Sequence, residues 1–98
     1  MPYIGLAYAH FAAGRFEEAA AAAAGASHSN PKFSMPYVLH AAALANAGRS
    51  KEARVVADKL RNVEPDLTVS TAIRSARFAN ADKNVELGEA LLRAGLPE

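Results

Sequence analysis

Three histidines, His10, His28 and His40, are the side chains of this 98-residue chain that titrate nearest neutrality, so a search for chemistry starts with them. A metal site on one helix needs a second ligand-type residue three or four positions away, and none of the three has one. No metal and no cofactor is expected, and His10 and His40 read as hydrogen-bonded packing residues. Glu17 and Glu18 are adjacent, which on a helix turns them about 100 degrees apart, a poor pairing for acid–base work and a good one for a solvated first turn facing the helix dipole. Ser27, Ser29, Ser34 and Ser70 show no His and acid partner arrangement, so no catalytic residue is assigned. Arg49, Lys51, Arg54, Lys59 and Arg61 could meet phosphates, but Glu52 and Asp58 interleave with them and make a solvated face the better reading.

Composition narrows the field further. The formal net charge is +1, too small for a nucleic-acid footprint, and there is no cysteine for disulfides or thiol chemistry, which suits the cytoplasm. No nucleic acid, membrane or small-molecule substrate is expected. Hydrophobic residues make up 51% of the chain and Ala dominates them, which favours closely approaching helices with few large side chains. No stretch reaches the roughly 18 apolar residues of a membrane span.

The elements repeat themselves. MPYIGLAYAHFAAGRFEEA at Met1 to Ala19 returns as MPYVLHAAALANAGRSKEA at Met35 to Ala53, so that Pro2 and Pro36, Tyr3 and Tyr37, Gly14 and Gly48, and Pro31 and Pro65 stand 34 residues apart. Each unit opens with Pro where a helix tolerates its missing N–H, and turns at a Gly suited to a left-handed helix end. Ser50 is placed to cap the next helix, whose Ala53, Val56, Ala57 and Leu60 form one apolar stripe. Asn30-Pro31 and Glu64-Pro65 close the two units, since Pro disfavours helix in the residue before it. Each unit is a helix hairpin.

Such a 34-residue hairpin resembles the tetratricopeptide repeat. The matching positions are Tyr3, Leu6, Ala7, Gly14, Phe16, Ala19, Ala26 and Pro31 in the first unit, and Tyr37, Ala41, Leu44, Gly48, Ala53 and Pro65 in the second. His10 stands where the family usually has Tyr, His40 where it has Leu, and Ala23 and Ala57 where an aromatic is common, which thins the core. The resemblance implies an all-α fold of antiparallel hairpins in a right-handed superhelix of about two and a half to three repeats: residues 1–34, residues 35–68, and a degenerate third unit with a capping helix at 69–98. That third unit has Thr68 or Ser70 as a cap, Ala72, Ile73, Ala76 and Phe78 on a helical face, and Asp82 in place of the turn Gly, where it can cap a last helix bearing Leu87, Ala90, Leu91 and Ala94 that stops at Gly95. EPDLTVS at Glu64 to Ser70 and LLRAGLPE at the end look like the C-terminus of a bacterial group in which these repeats follow a class III adenylate cyclase or a winged-helix regulatory domain, so the chain reads as a C-terminal fragment.

A concave wall for a partner follows from the same resemblance. Its lining would be Ile4, Tyr8, Phe11 and Ala12, then Val38, Ala42, Ala45 and Asn46, then Val69, Ala72, Ala76 and Asn80. Ile4 and Tyr8 stand where carboxylate-gripping repeats place Lys and Asn, so the wall suits an amphipathic helix, a hydrophobic peptide or an upstream domain of its own chain. Ile4, Tyr8 and Phe11 are expected to form an open apolar patch that favours a homodimer. Two rivals stand beside this protein-binding reading: a repeat that only caps or rigidifies a larger enzyme, and a helix-hairpin nucleic-acid binder.

Overall fold

Glycine punctuation sets the architecture. In the computed structural model, which describes residues 3–76, 78 and 80–98, α1 (Tyr3–Ala12) and α2 (Phe16–Ser29) form one hairpin, and α3 (Ser34–Asn46) and α4 (Ser50–Val63) form the next. Gly14 and Gly48 sit at the two hairpin turns with φ of 80° and 82°. Each donates its N–H three residues back while the following Arg bonds five back, Arg15 to the His10 carbonyl at 2.9 Å and Arg49 to the Leu44 carbonyl at 2.8 Å. This closure satisfies the orphan carbonyls of a helix end and needs a left-handed residue, where a Cβ would cost about 1–2 kcal/mol. Gly95, with φ of 97°, ends the last helix in the same way.

The helix starts differ in detail from expectation. Ser50 is the first residue of α4, and Arg49 precedes it with no side-chain cap. Pro36 is the third residue of α3, still within the first turn, where a missing N–H costs nothing. Pro2 lies outside the described residues. Thr68 does cap α5 (Val69–Ala76), its hydroxyl oxygen accepting from the Thr71 N–H at 3.2 Å. The cap of α6 (Ala81–Arg93) is Asn80, whose Oδ1 accepts from the Asp82 N–H at 2.8 Å, so Asp82 fills the first turn and not the cap.

Packing centres on α3. It buries Met35, Pro36, Val38, Leu39 and every residue from Ala41 to Ala45, and a helix buried all round must be covered on several sides. α2 and α4 flank it, α1 touches one end, and α6 covers much of the rest. Ala19, Ala23, Ala41 and Ala53 are fully buried, so the backbones of α1 to α4 approach closely. α4 shows the expected stripe, with Ala53, Val56, Ala57 and Leu60 buried and its other faces wet.

The third unit departs from the stacking of the first two. Little of α4 touches α5, and it is α6, more than α5, that lies on α3. Two features drive this. α5 is only eight residues long, too short to extend the wall that α1 and α3 begin. Phe78, which follows α5 outside the helix, also turns back to pack its ring on Tyr8 and Phe11 of α1. Gly88 permits the close α5–α6 approach, since a Cβ there would stand 2.9 Å from Ile73 Cδ1. The tail then closes on the start of α5: Val69 N–H bonds the Pro97 carbonyl at 2.8 Å, with Leu67 and Leu96 buried beside it. The chain measures 29 × 28 × 24 Å, and its radius of gyration of 11.4 Å lies below the roughly 12.6 Å of an average domain this long. An open superhelix would be longer.

Candidate functional site

Most of the residues expected to line a concave wall are covered. Phe11, Val38 and Ala42 have no exposed surface and Ala76 retains 7%, so these four, with Ala45, Val69 and Ala72, are core residues in this fold. The physical reason is the third unit. Phe11 is enclosed by the Phe16 ring at 5.4 Å and the Phe78 ring at 5.6 Å, and Tyr8 meets Phe78 edge-on at 5.4 Å. Half-burial raises the Tyr8 hydroxyl pKa by desolvation. Asn46, half-buried, accepts at Oδ1 from the Arg93 guanidinium of α6, while its Nδ2 is buried without a partner among the described residues. Asn80 is exposed but spends its side chain on the α6 cap. Ile4 stays half-exposed, and Ala12 is exposed. The expected open patch of Ile4, Tyr8 and Phe11 is therefore reduced to Ile4 and one face of Tyr8.

Another apolar edge is open. Tyr3 and Phe33 are 48% and 47% exposed and, with Ile4, Ala26 and Pro36, line a shallow cleft of about 270 Å³ where α1 and α3 begin and α2 ends. Phe33 was invisible as a site residue because it lies in a loop, off any helical period.

On the outer side, a cleft of about 430 Å³ runs between α2 and α4 over α3. Ala24, Ser27 and His28 of α2, Tyr37 and His40 of α3, and Val56 and Lys59 of α4 line it, with Pro31 at its end. The sequence treated His28 and His40 as unrelated, since spacing within one helix cannot reveal neighbours on two. His10 instead accepts at Nδ1 from the Arg15 side chain at 3.1 Å. Among the described residues no group of three His, Cys, Asp or Glu could hold a metal ion. Glu17 and Glu18 occupy the exposed first turn of α2, and Glu17 pairs with Arg49 at 3.1 Å.

Burial lowers the pKa of His40, Lys59 lowers it further, and Glu52 partly opposes them. The folded chain then binds a proton at His40 less readily than the unfolded chain, so its contribution favours folding above the unfolded histidine value of about 6.5 and is lost as pH falls below it. Urea midpoints are expected to fall between pH 7.5 and 5.5, and to fall less in His40→Gln. Equal slopes for both proteins would contradict this.

The 34-residue hairpins, their left-handed Gly turns and the packing of α2 on α3 are now joined by a family match: the model described as tetratricopeptide repeat covers residues 1–24 and 35–59, half of the chain. The chain belongs to the tetratricopeptide repeat family. No curated protein and no solved structure matches it. The matched segments are α1 with most of α2, and α3 with most of α4, so the family pattern stops where the packing departs from regular stacking. Tetratricopeptide repeats generally mediate protein–protein interaction and are typically non-catalytic scaffolds. Among the described residues, no helix is long and apolar enough to cross a membrane.

Proposed function

We propose that this repeat module binds protein, seating an amphipathic helix, a hydrophobic peptide or a neighbouring domain against its first repeat, and performs no chemistry of its own. The observation that carries the reading is the packing of α6 on α3 and of the Phe78 ring on Tyr8 and Phe11 of α1, which supports a surface shaped to accept a helix. The exposed edge of Tyr3, Ile4 and Phe33 extends that surface outward and is the part open to another chain. Context within an adenylate cyclase-like signalling protein is the finer part of the proposal and rests on the strings EPDLTVS and LLRAGLPE. Those strings meet in space through the Val69 to Pro97 hydrogen bond, so a folding role accounts for part of their character.

Photo-crosslinking tests the binding reading. A photoreactive residue at Ile4 or Phe33 is expected to capture the same protein from cells, whereas one at Val55, still more exposed on α4, should not. Absence of adducts, or the same adducts from Val55, would count against it. An adduct between two copies of the chain would favour the homodimer reading, which the exposure of Tyr3 and Phe33 also supports.

A further inference from the structure

We infer that the outer cleft between α2 and α4 is a binding site for a small oxyanion, a carboxylate or a phosphate group, held by Lys59, His28 and His40. The polar side chains lining this cleft all carry a group able to donate, and no carboxylate lies among them. Two of the donors are already used: the Ser27 hydroxyl donates to the Ala24 carbonyl at 3.0 Å, and the Tyr37 hydroxyl to the Pro31 carbonyl at 2.9 Å. The Lys59 ammonium and the two imidazoles have no hydrogen-bond or ion-pair partner among the described residues. The acid that acts on His40, Glu52 on α4, is drawn toward Arg49 at 3.6 Å and is not part of the lining.

Three elements thus place nitrogen-bearing side chains along one cleft, and none of its lining residues supplies an anion. The volume, about 430 Å³, exceeds the roughly 30 Å³ share of a water molecule many times over, so acetate or phosphate fits with room to spare. Ala24, Pro31 and Val56 form apolar walls, which strengthen a charge-assisted hydrogen bond made between them. An oxyanion beside His40 would oppose both influences that hold its proton affinity down, burial and Lys59, so binding takes up a proton and tightens as pH falls. The inference is independent of the protein-binding reading, because it concerns a different cleft, with no lining residue in common with the Tyr3 and Phe33 edge, and a ligand that can arrive free or on a peptide.

The test is an NMR titration of the whole chain, following the three histidine ring resonances with inorganic phosphate and, separately, with acetate, at fixed ionic strength and at pH 6.0 and 7.5. Saturable shifts of His28 and His40 are expected with at least one anion, tighter at pH 6.0, while His10 on α1 stays still. Saturation by phosphate alone assigns a phosphate ligand; saturation by acetate assigns a carboxylate. Lys59→Gln, at an exposed position where the fold should survive, is expected to weaken binding about tenfold or more, and Lys59→Arg to restore most of it. Shifts that never saturate with either anion, that move all three histidines alike, or that persist unchanged in Lys59→Gln would overturn the inference.

Discussion

Truncating Phe11 to Ala is expected to remove about 3–5 kcal/mol of stability, out of a total on the order of 5–15 kcal/mol for a domain of this size. Phe11 is fully buried, and it is where the parts of the chain meet: α1 contributes it, Phe16 at the head of α2 packs on one side, and Phe78 of the third unit on the other. Beyond those two rings the core is mainly Ala, whose short side chains cannot move in to fill the space left by a ring, so relaxation offsets the loss only in part. Each kcal/mol moves the midpoint by roughly 4–8 °C in a 60–100-residue domain, so circular dichroism at 222 nm should record a Tm lower by about 12–40 °C. Phe78→Ala, at a half-buried position, should cost less and act mainly on the third unit. A Phe11→Ala protein melting within a few degrees of the parent would show that this aromatic cluster does not hold the parts together.

Whatever was written in local chemistry could be read from the sequence. Gly14, Gly48, Pro31 and Pro65 fix turns through their own backbone restrictions, and the hairpins fall where those residues put them. The α4 stripe was visible because one face of that helix meets the core and the others meet water. α3 has no such contrast, since it is apolar nearly all round, and its central place became clear only when helices distant in sequence were seen to cover it. The cap expected at Ser50 misses by one residue because α4 starts there with no side-chain cap at Arg49, and the cap expected at Asp82 falls at Asn80 because both are polar residues near a helix start that could cap it. The wall was harder to read. Val38 and Ala42 lie on the helix that the repeat pattern assigns to the wall, but nothing in their spacing records that α6 would lie on α3. The pairing of His28 with His40 and Lys59 crosses three helices and has no signature along the chain.

Placing a charge at Leu91 is expected to lift the α5–α6 pair from α3 while α2, α3 and α4 stay helical. Leu91 is fully buried on the helix that covers α3, so Leu91→Asp loses the packing of a core leucine and leaves a carboxylate without a partner, together on the order of 5 kcal/mol. Relief by local opening is available because α5 and α6 meet the rest of the chain mainly through α3 and Phe78, whereas α1 through α4 hold one another along three extensive helix pairs. Hydrogen exchange should show the amides of 81–93 losing protection first and those of α2 to α4 keeping most of theirs. Lowering the pH would weaken the effect, because a protonated Asp is easier to bury. Loss of protection everywhere at once would mean that the third unit is an indispensable cap, as expected where about three repeats are needed to bury a continuous core. The more informative step follows opening, since a peptide of residues 78–98 added to the Leu91→Asp chain should restore protection along α3 if the wall accepts a helix supplied from outside. Restoration would make the third unit a resident occupant of the seat proposed for a partner, whose binding strength would then be set by what α6 must give up. Opening with no response to the peptide would place protein binding on the Tyr3 and Phe33 edge alone.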